Sequence, residues 1–133
     1  MKKYENYAKA LETLEKASAQ DLDNDFVQSG IINKFSIQFE LGWKLFKALL
    51  AYEGDITATT GSPRDIIKAA YRYYDFMDED VWLSMLHQRN ETAHLYDAGA
   101  AQRLVHDVLE RYIPEFARVQ QGLEARYGDL LRS

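Results

Sequence analysis

The chain has 133 residues, 47% of them hydrophobic and 28% charged, a balance that suits a folded protein with one hydrophobic core. It contains no cysteine, which excludes a disulfide framework, a thiolate nucleophile and a zinc-thiolate site. A net charge of -5 argues against binding long nucleic acid by bulk charge, so any nucleotide or RNA contact must be local.

The chain opens with Lys2, Lys3 and Glu5 rather than an apolar leader, and no later run approaches the ~20 apolar residues of a membrane span. A cytoplasmic protein with no membrane contact is expected. The first helix is predicted over residues 3–19, with Tyr4, Tyr7, Leu11, Leu14 and Ala17 forming a stripe at three- and four-residue steps. Residues 21–25 read as a turn rich in capping side chains, and a long helix is predicted from residue 26 to about 53, stopped by Gly54. Val27, Ile31, Phe35, Gln38, Gly42, Leu45 and Leu49 lie along one side of it, and Phe39, Trp43, Phe46 and Leu50 widen the band. So broad an apolar band suits a central helix with neighbours on more than one side.

Residues 55–61 form the one conspicuous loop. The next helix starts with Ser62 as cap, Pro63 in the first position and Asp65 in the first turn, and should end near Tyr73 or Tyr74. Asp78, Glu79 and Asp80 mark another start, and Val81, Trp82, Met85 and Leu86 lead from it to Arg89. A last helix from about Asp97 carries Leu104, Val105, Val108, Leu109, Tyr112 and Ile113 until Pro114, where a kink or break is expected before residues 115–127. No repeat or interdomain linker interrupts the pattern, so residues 1–133 are expected to form one all-α domain. The predicted architecture is an antiparallel up-and-down bundle of four main helices with a shorter fifth.

Chemistry concentrates in residues 89–96. Arg89 offers a planar fork of donors for phosphate oxygens, Asn90 a carboxamide, His94 a side chain that titrates near neutrality and Tyr96 a phenol. Residues five apart on an ideal helix point about 140° away from each other. Arg89 and His94 therefore meet only if the helix ends before His94 or if a second chain brings its own copy. Glu40, flanked by Phe39, Leu41 and Trp43, needs a partner if buried, and Arg89 is the expected one; Lys44, four residues on, is a favourable ion-pair neighbour. Arg64, Lys68 and Arg72 form a basic ridge, read as surface charge with a lesser prospect of nucleotide contact. His87 with Glu91 and His106 with Glu110 lack a third ligand, so neither metal nor cofactor is expected. The structural alternative for the cluster is a helix-end cap at Arg89 and Asn90, a hydrogen-bonded histidine at His94 and a bundle-sealing ring at Tyr96.

Arg89, His94 and Tyr96 have the spacing associated with HEPN proteins. Three segments sharpen the likeness: Phe39-Glu40-Leu41-Gly42-Trp43-Lys44, Ser62-Pro63-Arg64-Asp65, and Arg89-Asn90 with His94-Leu95-Tyr96-Asp97. In order and spacing they resemble the nucleotidyltransferase substrate-binding family of the HEPN superfamily, from Tyr7 to about Phe116. The resemblance implies a helical bundle that partners a separately encoded minimal nucleotidyltransferase and binds substrate or nucleotide through Arg89, Asn90, His94, Tyr96, Glu40 and Lys44; a homodimer is expected from the Arg89 to His94 geometry, which a second copy would satisfy. It also implies an alternative, a metal-independent RNase toxin of a toxin-antitoxin pair in which His94 moves a proton and Arg89 steadies the phosphate. Tyr96 is by the same likeness a candidate acceptor of nucleotidyl groups.

Overall fold

The computed structural model describes residues 1–91 and 97–133, with Ala98 described by its backbone alone; among these residues every regular element is helical. Helix α1 spans Lys2–Leu14 and tightens into 3₁₀ turns over Glu15–Ala19, burying the expected stripe of Tyr4, Tyr7, Leu11, Leu14 and Ala17. Helix α2 spans Asp25–Tyr52. It starts one residue before the expected position because the Asn24 carboxamide accepts from the Phe26 and Val27 amides at 2.9 and 3.2 Å. It ends where Gly54 takes φ +80°, a left-handed conformation that glycine adopts without strain.

The expected loop after α2 contains a single helical turn, α3, over Thr57–Thr60, nucleated by Asp55, which accepts from the Thr57 amide at 2.8 Å. Helix α4, Pro63–Tyr73, begins with the reciprocal cap legible in the sequence: Ser62 Oγ accepts from Asp65 N–H while Asp65 accepts from Ser62 N–H. Helix α5, Glu79–Asn90, is capped by Asp78, and α6, Ala98–Asp107, by Asp97. From α6 a π turn over Val108–Tyr112 runs directly into α7, Ile113–Arg132. Pro114 thus does not break the chain. The Ile113 amide reaches back five residues to the Val108 carbonyl. This wider turn relieves the crowding that a proline ring brings to the carbonyl four residues before it.

Helix α2 sits at the centre, packed against α1, α4, α5 and α6. Its pairing with α1 is antiparallel, with Gln38 Nε2 donating to the Tyr7 carbonyl at 3.1 Å and Ala17 lying beside Gly30 and Ile31. Helix α7 also runs antiparallel to α1: Met1 donates to Leu131 at 3.0 Å, and Tyr7 Oη to the Phe116 carbonyl at 2.7 Å. Trp82 on α5 is fully buried against Phe39, Phe46 and Phe116, with ring centroids 6.0, 4.8 and 5.5 Å away. Gly42 makes that possible, because a Cβ there would stand 2.6 Å from the Trp82 ring. These contacts make the all-α bundle that the spacing predicts. Among the described residues no helix is long and apolar enough to cross a membrane.

One anchor has no counterpart in the sequence reading. Glu115 is 1% exposed, and its Oε2 accepts from the Asp78 amide at 2.8 Å and the Trp82 indole at 3.1 Å, while Arg118 pairs with Oε1. It fastens the start of α5 to α7, and burial pushes its carboxyl above the ordinary range.

Candidate functional site

The far end of α5 carries the residues on which the sequence reading centred. Arg89 and Asn90 are its last two helical residues, and Glu91 follows as the C-cap with φ -96° and ψ 5°. The helix therefore ends before position 94, as a meeting of Arg89 and His94 within one chain requires. His94 and Tyr96 themselves lie outside the described residues.

Glu40 reaches Arg89 from the middle of α2. Its Oε1 pairs with Arg89 Nη2, while its Oε2 accepts from the Trp43 indole at 3.0 Å and lies 3.9 Å from Lys44 Nζ. The sequence pairing of Glu40 with Arg89 is present, and the helical ion pair with Lys44 accompanies it. Both carboxylate and guanidinium are only partly covered, at 29% and 32% side-chain exposure, so the pair stays within reach of solvent. Arg89 Nη1 also donates to Asn90 Oδ1 at 3.2 Å. The carboxylate, indole and amide together hold the guanidinium in a set orientation.

Arg89 and Asn90 line a groove of about 390 Å³ between the end of α5 and the start of α4. Its other walls are Ser62, Pro63, Arg64, Leu83, Leu86 and His87. Leu83, Leu86, His87 and Asn90 recur at three- and four-residue steps, which puts them on one face of α5. That spacing was the available signal for His87, Leu83 and Leu86, which the sequence reading did not assign to the site. Arg64 comes from the basic ridge; it has no carboxylate partner among the described residues, whereas Lys68 pairs with Glu79 at 4.0 Å. Glu40 and Lys44 are not in the lining: Glu40 meets it through Arg89, and Lys44 pairs with Glu40. Arg72 stays outside the lining.

The groove combines two guanidinium groups, an imidazole, a carboxamide and a hydroxyl over a leucine floor. Such a surface suits an anionic oxygen group at the rim and a planar or apolar moiety against Leu83 and Leu86. Its positive character is local, set within a chain of net charge -5.

Glu40 of the first segment and Ser62 to Arg64 of the second thus meet Arg89 and Asn90, the described start of the third, whose residues 94–96 lie outside the described residues. No curated protein matches the chain. The family described as nucleotidyltransferase substrate binding protein like, however, matches residues 2–125, which take in the whole groove, and the chain belongs to that family.

Proposed function

We propose that the chain is the substrate-binding subunit of a separately encoded minimal nucleotidyltransferase, acting as a homodimer and holding a nucleotide or RNA end in the groove between α4 and α5. The observation that supports this reading is the convergence of two distant segments, Glu40 and Ser62 to Arg64, on Arg89 and Asn90. Arg89 and Arg64 take phosphate oxygens, Asn90 and Ser62 add hydrogen bonds, and Leu83 and Leu86 receive the base. Glu40 and Lys44 orient Arg89, and the family resemblance adds His94 and Tyr96, which lie outside the described residues, to the binding residues. The partner supplies metal-binding carboxylates and nucleotide transfer, with Tyr96 as a candidate acceptor.

Calorimetric titration of the purified chain with nucleoside triphosphates tests the reading. Saturable binding that weakens at least about tenfold in Arg89→Ala and in Arg64→Ala supports it, a loss of roughly 1.4 kcal/mol for each. Incubating the same preparation with RNA in excess chelator tests the RNase alternative. Cleavage abolished by His94→Ala would replace the binding-subunit reading with a metal-independent nuclease using Arg89 and His94.

A further inference from the structure

The basic ridge on α4 is a stripe with an aromatic ring set into it. Arg64, Lys68 and Arg72 stand four residues apart, and Tyr71, three after Lys68, shares their side of the helix. The other side packs inward through Ile66, Ile67, Ala69 and Ala70. The Tyr71 ring is 47% exposed in the stripe, whereas that of Tyr74 goes into the core. Among the described residues neither Arg64 nor Arg72 has an ion-pair partner, and the nearby carboxylates are engaged elsewhere. Asp65 caps with Ser62, and Asp55, within electrostatic reach of Arg72, accepts from the Thr57 amide at 2.8 Å and the Tyr73 hydroxyl at 3.0 Å. Lys68 is paired with Glu79 at 4.0 Å. Arg64 belongs both to the stripe and to the groove lining, so the two surfaces are continuous. At the far end the surface turns acidic, where a hollow of about 530 Å³ is walled in part by Tyr71, Asp75, Asp78, Glu79 and Asp80.

We propose that the ligand is a single-stranded oligonucleotide whose end sits in the groove and whose following phosphates run along Arg64, Lys68 and Arg72, with one base stacked on Tyr71. This rests on the nucleotide-binding reading of the groove and extends it from a single nucleotide to a strand. At 1.5 Å per residue, successive cations lie about 6 Å apart along α4, on the scale of the step between phosphates in an extended strand. Cations that track a backbone, with an aromatic face among them, are how proteins hold single strands without reading their sequence. A duplex keeps its bases stacked on one another and offers Tyr71 no face along its length. An acidic protein segment would also meet the cations; continuity with a groove fitted to phosphate and base favours the strand. The acidic hollow beyond Tyr71 repels further phosphates, which bounds the footprint at about four nucleotides. So short a positive track is compatible with a chain of net charge -5.

Competition of unlabelled oligoadenylates, one to six nucleotides long, against fluorescein-labelled hexa-adenylate tests it, read by anisotropy on the full chain. Affinity should rise at least about tenfold from one to four nucleotides and level off beyond. Arg72→Gln and Tyr71→Ala should each weaken the hexamer at least about fivefold and leave the single nucleotide unaffected. Both side chains are exposed, so circular dichroism should show unchanged helix content. Arg72→Gln should also reduce the slope of log affinity against log salt for the hexamer by about 0.7. Glu79→Gln, which frees Lys68, should tighten the hexamer about twofold. Equal affinity for one and six nucleotides, with Arg72→Gln silent, would overturn the stripe and leave the groove reading to stand. Length-dependent binding that is lost in Arg72→Gln but indifferent to Arg89→Ala would overturn the groove reading and the continuity proposed from it. Displacement of the labelled strand by hexaglutamate as readily as by unlabelled hexa-adenylate would assign the stripe to an acidic protein segment instead.

Discussion

The two ends of α5 are held by the same chemistry in opposite settings. At its start, Glu115 of α7 receives the Trp82 indole, a backbone amide and Arg118; at its end, Glu40 of α2 receives the Trp43 indole, Arg89 and Lys44. Each is a carboxylate bound to an indole and a guanidinium. Glu115 is sealed from water and Glu40 is not. A sealed carboxylate leaves costly orphans when it is removed, whereas a half-exposed one lets water replace its partners. The first end therefore serves as an anchor, and the second can exchange partners with a ligand without loss of the fold.

The largest effect is expected at the anchor. Glu115→Ala strands the buried Trp82 N–H and the Asp78 amide, and should cost about 3 kcal/mol in urea unfolding. Gly42→Ala tests the packing over the same tryptophan, since a Cβ 2.6 Å from the ring forces Trp82 or α2 to shift, at a cost of about 1–3 kcal/mol. The pH response gives a third distinction. Because burial raises the Glu115 carboxyl in the folded state, the folded chain holds that proton more tightly than the unfolded chain. This group's contribution to stability is then greatest below the ordinary carboxylate range and declines as pH rises through its raised value. Urea titrations from acid to neutral pH should show this decline in the wild type and lack it in Glu115→Gln. The smallest effect belongs to the other end: Glu40→Ala should change stability by less than about 1 kcal/mol, because the pair is partly exposed. Equal costs for Glu40→Ala and Glu115→Ala would erase the distinction between the two ends.

The same contrast explains what was legible in the sequence. The reciprocal cap at Ser62 and Asp65, the stop at Gly54 and the broad band of α2 depend on local spacing and were readable directly. The partnership of Glu40 with Arg89 was also readable, because a carboxylate among Phe39, Leu41 and Trp43 needs a partner if buried and Arg89 heads the segment richest in chemistry. Glu115 was passed over because it follows Pro114, where a break was expected and a surface glutamate would be unremarkable. Its signal lay in the phase of the stripe: Val108, Tyr112, Glu115, Phe116 and Val119 share one face once the π turn joins α6 to α7. Gly122 offered no sign of its role, since the Phe76 ring that lies against it comes from a connection far away in sequence. In the candidate site, Arg89 and Asn90 were found from residue type, while helical spacing put His87, Leu83 and Leu86 on the face of Asn90 and only the start of α4 beside the end of α5 made that face a groove.

The central claim is that the groove joining those two helix ends is where the ligand sits. Amide chemical shifts of isotope-labelled protein, followed during titration with a nucleoside triphosphate, test it most directly. The account predicts saturable shifts concentrated at Ser62, Arg64, His87, Arg89 and Asn90, abolished in Arg89→Ala and unchanged in Ile37→Asp, a substitution at an exposed position of α2. Saturable shifts confined to another face, with these five residues still, would contradict it.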